Sequence, residues 1–227
     1  MGNLVQLFEY FSIYGIGLHV IIAIFLPNTR MHYGFRQFTA QTSGVLNPNR
    51  ELLAARQAYN LTASVHNHLR VANALRAMGN MIEAVKEFES CLTRASDSDL
   101  QVRLVTAYAN FDVNQHQRVL VLLSDSRAKD ANYHVEDVTL LAALTLAEMG
   151  ENDAAREQFE YLMRCFGSVE ICVEYAICLL KQKELEQAQI IKAKLEQTAS
   201  HWDRRAQHMN RYAIQKVKNA FKNIAKS

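Results

Sequence analysis

Alanine returns at Ala72, Ala107, Ala143 and Ala176, at spacings of 35, 36 and 33 residues, and this period constrains the fold more than any other feature of the chain. A second small or short apolar residue follows each one twelve positions later, at Ala84, Val119, Ala155 and Ala188. That period is the length of one helix-turn-helix unit. The first small residue marks where the first helix of a unit must approach the second closely, and the later one answers it from the second helix. Gly79 and Gly150 fall at the turn, where a left-handed residue ends a helix. Asn114 can adopt that conformation, and Lys183 does so less comfortably. Phe88, Leu123 and Phe159 are placed to wedge between neighbouring units. One hairpin cannot bury its own apolar face, so the units must stack.

The remainder of the chain agrees with helix. Its only prolines are Pro27 and Pro48, so nothing after Asn49 obligatorily breaks a helix. Ala, Leu, Glu, Gln and Arg lose little on entering one. Asn47 followed by Pro48 reads as a helix start, with Asn47 as N-cap. The helix after it is expected to cap the leading edge of the stack. Trp202, Met209, Tyr212, Val217, Phe221 and Ile224 predict an amphipathic helix beside the last unit.

The windows Val65 to Ala95 and Glu136 to Arg164 resemble the tetratricopeptide repeat family, with a small eighth residue, a turn glycine, a later Ala and an aromatic. The two windows aligned on Ala107 and Ala176 are degenerate. Val119 replaces Ala, Lys192 stands where an aromatic is usual, and His68 takes the place of a bulky aromatic in the first unit. The likeness covers around 60% of the chain. It implies an all-α, tetratricopeptide-like α-solenoid of about four helical hairpins over residues 47–196, followed by a C-terminal helix in 197–227. It also implies a role in binding other proteins. The chaperone-tail clamp of some members needs a Lys where this chain has Leu69, so that role is not expected.

Upstream of the repeats, Leu4 to Leu26 carries only Gln6, Glu9 and His19 as strongly polar or chargeable residues. A bilayer core needs about 20 residues of helix, and this stretch reaches that length before Pro27 stops it. A transmembrane anchor over residues 1–28 is therefore expected, formed by Tyr10, Phe11, Ile13, Leu18, Val20, Ile21, Ile22, Ile24, Phe25 and Leu26. Residues 29–46 read as a juxtamembrane connector. Arg30, Arg36, Arg50 and Arg56 follow the span and no base precedes it, which places the repeats in the cytoplasm. A cleaved signal peptide fits poorly, because no Lys or Arg precedes the stretch and no A-x-A site follows it. The order of apolar segment, L-N-P-N-R-E-L, repeats and R-R-A-Q-H-M-N-R-Y is similar to a group of bacterial inner-membrane proteins. These join a phospholipase-D-type N-terminal membrane segment to tetratricopeptide repeats, usually with two spans where this chain has one. That likeness implies an inner-membrane location and no phospholipase chemistry, since the H-x-K-x-x-x-x-D pattern is absent from the sequence.

The formal net charge is +2, which argues against a dedicated nucleic-acid binder. The bases gather near the C-terminus, where Arg204, Arg205, Arg211, Lys216, Lys218 and Lys222 form a solvated face or a contact with anionic lipid, with RNA a third option that basic residues alone support weakly. Cys91, Cys165, Cys172 and Cys178 sit in apolar helical patterns and read as buried free thiols.

No phosphate loop, zinc-protease or nucleophile-elbow motif occurs. No cofactor, metal or catalysis is expected. Glu83, Glu87 and Glu89 read as a solvated surface paired with Lys86 and Arg94. Stacked hairpins form a concave face from their first helices, which gathers Asn73, Arg76, Tyr108, Phe111, Asp112, Leu144, Glu148, Ile177 and Lys181 as a partner-binding groove; the alternative is that its aromatics, Tyr108 and Phe111, contact another helix of the chain, such as the C-terminal one folded into the groove. The chain then reads as a membrane-anchored interaction scaffold. A subunit of a larger membrane complex, packing through Gly15 and Gly17, is the alternative, and a periplasmic envelope-assembly factor of opposite orientation is a third.

Overall fold

The computed structural model describes residues 47–224. The expected anchor and connector, residues 1–46, lie outside the described residues. Among those described, no helix is long and apolar enough to cross a membrane.

The described chain runs through helices α1 (Pro48–Leu61), α2 (Val65–Ala77), α3 (Met81–Arg94), α4 (Leu100–Asp112), α5 (His116–Lys129), α6 (Val135–Glu148), α7 (Asn152–Cys165), α8 (Val169–Lys181), α9 (Leu185–Ser200) and α10 (Arg204–Ile224), with no strand among them. Local chemistry sets several of the starts. The Asn47 side chain accepts from the amide of Arg50 at 3.2 Å, Ser64 from Asn67, Asp99 from Val102 and Ser168 from Ile171. Each satisfies an amide that the first helical turn leaves unpaired.

The helices pair as α2/α3, α4/α5, α6/α7 and α8/α9, and each pair turns in the same way. Gly79, Asn114, Gly150 and Lys183 take φ of 81°, 60°, 81° and 64°. Around them the amides of Asn80, Gln115, Glu151 and Glu184 reach back to the carbonyls of Leu75, Asn110, Leu146 and Leu179 at 2.9–3.0 Å. That six-to-one bond closes a Schellman turn, for which a left-handed residue is required. Lys183 adopts it despite its Cβ.

Close packing follows the small residues. Ala72, Ala107, Ala143 and Ala176 are wholly buried, as are Val119, Ala155 and Ala188, and Ala84 nearly so. Each hairpin's core is completed by the first helix of the next. Ala109 of α4 joins the core of α1–α3, Val138 and Leu141 of α6 join that of α4/α5, and Ile171 and Tyr175 of α8 join that of α6/α7. Phe88, Leu123 and Phe159 sit buried at these joints, and Phe159 stacks on Tyr175 with centroids 4.9 Å apart. Ala55, Leu52 and Tyr59 of α1 close the leading end. At the trailing end α9 runs to Ser200, past residue 196, and Asp203 caps α10 through the Ala206 amide at 2.7 Å. Helix α10 lays Val217, Ile214 and Phe221 against Cys172, Val173 and Ala176 of α8.

Three expectations change. Cys91, Cys172 and Cys178 are buried but Cys165 is exposed, because it closes α7 on its outer side. Glu87 and Glu89 pair across helices rather than along their own, with partners on α2, α4 and α5. Arg94 turns instead to the Tyr59 hydroxyl and the Ala63 carbonyl.

Candidate partner-binding groove

The first helices of successive units meet side by side, and their polar termini tie them together. Arg76 of α2 donates to Asp112 of α4 at 2.6 Å, and Lys181 of α8 donates to Glu148 of α6 at 2.5 Å. Both pairs are partly solvated, so each contributes less than about 1 kcal/mol to stability. Their value is positional, because they hold two ends of one face in register. Between them stand Tyr108 and Phe111 of α4 and Leu144 of α6, all half-buried. Phe111 presents its ring to His116 at 5.9 Å in an edge contact and packs on the core of α4/α5. Asn73 is exposed and donates to the Leu69 carbonyl at 2.9 Å.

At the trailing end the face is no longer open. Ile177 packs beneath α10, so it serves the intrachain contact rather than standing free in the groove. Lys216 of α10 bonds Glu174, one turn from Ile177. Of the six cations expected to meet lipid, Lys216 is thus already engaged within the chain. Arg204, Arg205, Arg211, Lys218 and Lys222 are exposed. Glu174 belongs to an acidic group that the sequence reading missed. Burial pushes the carboxyl of Glu170 above its ordinary range, and the charges of Glu174, Asp137 and Glu136 push the same way, against Lys216. The one-turn spacing of Glu170, Glu174 and Ile177 on α8 was the available signal.

Two further polar centres hold the second helices. Glu89 of α3 accepts from Arg118 of α5 at 2.6 and 3.0 Å and from Asn110 of α4 at 3.0 Å. Burial acts to raise its pKa, but the bonds from Arg118 and Asn110 outweigh that and hold it below the usual carboxylate value. His68, where the repeat pattern has a bulky aromatic, stacks on Tyr59 at 4.6 Å and shares a 2.5 Å bond with Glu87. Lys192, where another aromatic is usual, places its ammonium 4.9 Å from the Phe221 ring of α10. In both places a ring from another helix supplies what the repeat lacks. Among the described residues, no group of three or more His, Cys, Asp or Glu could hold a metal ion.

Several solved structures share the overall fold. A thermophilic protein from Thermus thermophilus, TTC0263, superposes with a TM-score of 0.62 at 16% identity, covering 82% of this chain and 96% of that one. It is described as a TPR protein. The fold is tetratricopeptide-like. The MamA RS-1 ArsTM double mutant gives a TM-score of 0.59 at 12% identity, covering 77% of this chain and 99% of that one. A crystal structure of MamA gives 0.50 at 15% identity over 78% and 90%. No family model matches the chain, and no curated protein matches it. At these identities the likeness concerns the tetratricopeptide-like fold alone.

Proposed function

We propose that this chain is a non-enzymatic protein-interaction scaffold, tethered to a bacterial inner membrane by residues 1–28 with its solenoid in the cytoplasm. One observation carries the interaction reading. Tyr108, Phe111 and Leu144 line neighbouring first helices between two ion pairs, Arg76–Asp112 and Lys181–Glu148. Half-buried aromatics flanked by fixed charges give a partner helix or extended peptide apolar contact at low entropic cost. The tether is supported by the apolar run from Leu4 to Leu26 and the arginines that follow it. The same location brings the cations of α10 near anionic headgroups.

The test is a Tyr108→Ala, Phe111→Ala double variant, checked for unchanged helicity. It should lose a partner that co-purifies with the wild type, and retention of that partner would overturn the groove assignment. A reporter fused after Ser227 should be active in the cytoplasmic format, whereas periplasmic activity would reverse the orientation. Gly15 and Gly17 favour a second reading, a subunit whose anchor packs against other spans. Removing residues 1–28 separates the two. A scaffold's solenoid still captures its partner, whereas a subunit fails to assemble.

A further inference from the structure

Helix α10 turns one side to the solenoid and the opposite side outward, and the outward side has an unusual composition. Its buried positions, with Val217 at their centre, recur every three to four residues and pack on α8. Arg204, Arg211, Lys218 and Lys222 fall within about 40° of one another at 3.6 residues per turn, roughly 100–140° round the axis from Val217. They span about 27 Å of helix at 1.5 Å per residue. All four are exposed, and none has a hydrogen bond or ion pair among the described residues. No acidic residue follows Asp203 in the chain, so nothing on α10 neutralises them. Lys216 lies off this line and is held by Glu174.

We propose that Arg204, Arg211, Lys218 and Lys222 form an electrostatic docking stripe for the anionic surface of a bilayer, laying the trailing end of the solenoid along the membrane. The proposal rests on the tethered reading above only for bringing a bilayer within reach. A straight row of cations on a helix matches a flat anionic plane. Because the apolar side of α10 is occupied by α8, the contact is made through charge and not by insertion, and it must weaken with salt. A single-stranded nucleic acid fits less well. Its bases need an aromatic platform, and the exposed Tyr212 ring lies roughly 90° from the stripe at this helical pitch, which leaves the small His208 imidazole as the one exposed ring beside it on α10.

Trp202, the sole tryptophan, begins the approach to α10 and serves as an energy-transfer donor to dansyl-labelled headgroups. The full chain is reconstituted into vesicles of phosphatidylcholine, alone or mixed with phosphatidylglycerol. Wild-type transfer should be higher in the anionic vesicles and fall at high salt, where the screening length shrinks to about 3 Å. Each cation removed should weaken docking about fivefold. The variant R204Q/R211Q/K218Q/K222Q, with helicity unchanged, should transfer equally in both vesicles, and K216Q should behave as wild type. Equal transfer for the wild type in both vesicles overturns the stripe, as does a K216Q effect matching the quadruple variant. So does equal transfer accompanied by oligonucleotide binding that the quadruple variant loses. Flotation separates the two readings. A chain that floats with neutral vesicles but shows equal transfer keeps the tether and loses the stripe. One that floats only with anionic vesicles, in a salt-sensitive way, keeps the stripe and loses the tether.

Discussion

Replacing Gly150 with Ala and Lys183 with Gly should move stability in opposite directions, although the two residues occupy equivalent turns. Gly150 sits at φ 81°, and a Cβ added there would meet nothing within 4 Å. The cost of Gly150→Ala is therefore conformational and not steric. An L-residue in the left-handed region loses about 1–2 kcal/mol, offset by about 0.4–1 kcal/mol because alanine stiffens the unfolded chain. A net loss of about 1 kcal/mol follows from those two terms. Lys183 already carries that strain at φ 64°, so Lys183→Gly should gain up to about 1 kcal/mol by the same arithmetic reversed. Urea unfolding followed by helical circular dichroism reads both as shifts of the midpoint at constant slope. A neutral or stabilising Gly150→Ala, or a destabilising Lys183→Gly, would refute the assignment of these turns as left-handed caps.

Three other outcomes follow from the packing and the charges. Phe159→Ala empties a fully buried site that stacks on Tyr175 and should cost about 3–5 kcal/mol in chemical denaturation, loosening α6–α9 first. Glu89 has a lowered pKa in the folded state, so its contribution is present above the ordinary carboxylate pKa and is lost as pH falls through the folded value. Glu89→Gln should therefore flatten the acid limb of a stability–pH profile. Burial pushes the Cys91 thiol up to about 12, leaving about one part in ten thousand as thiolate at pH 8. Mass spectrometry after brief alkylation of the native protein should find Cys165 modified and Cys91 untouched.

The repeat was legible because close approach between helices admits few side chains. Ala72, Ala107, Ala143 and Ala176 announce it in the sequence, and all are buried. The turns were legible at Gly79 and Gly150 for a similar reason. Lys183 was harder, since the fold imposes a conformation its residue type disfavours. The polar contacts were not legible. Glu89 has a possible partner in Lys86, three residues away on α3, and Glu87 has none at three or four residues, yet the actual partners of both lie 19 to 29 positions off on other helices. Only stacking decides that choice. The amphipathic pattern of α10 foretold a buried side, yet Met209 and Tyr212 of that pattern stand exposed, and nothing in it showed that Lys216 would engage Glu174. Of the groove, the ends of the face are joined by Arg76–Asp112 and Glu148–Lys181, pairings that the repeat register alone could not supply.

Site-specific photo-crosslinking in native membranes tests the scaffold role most directly. A photoreactive residue at Tyr108 should give a discrete adduct with one protein. The same probe at Ile82, exposed on the second helix of the first hairpin, should give none. Equal labelling at the two positions, or a discrete adduct at Ile82 alone, would contradict a partner-binding face built from the first helices.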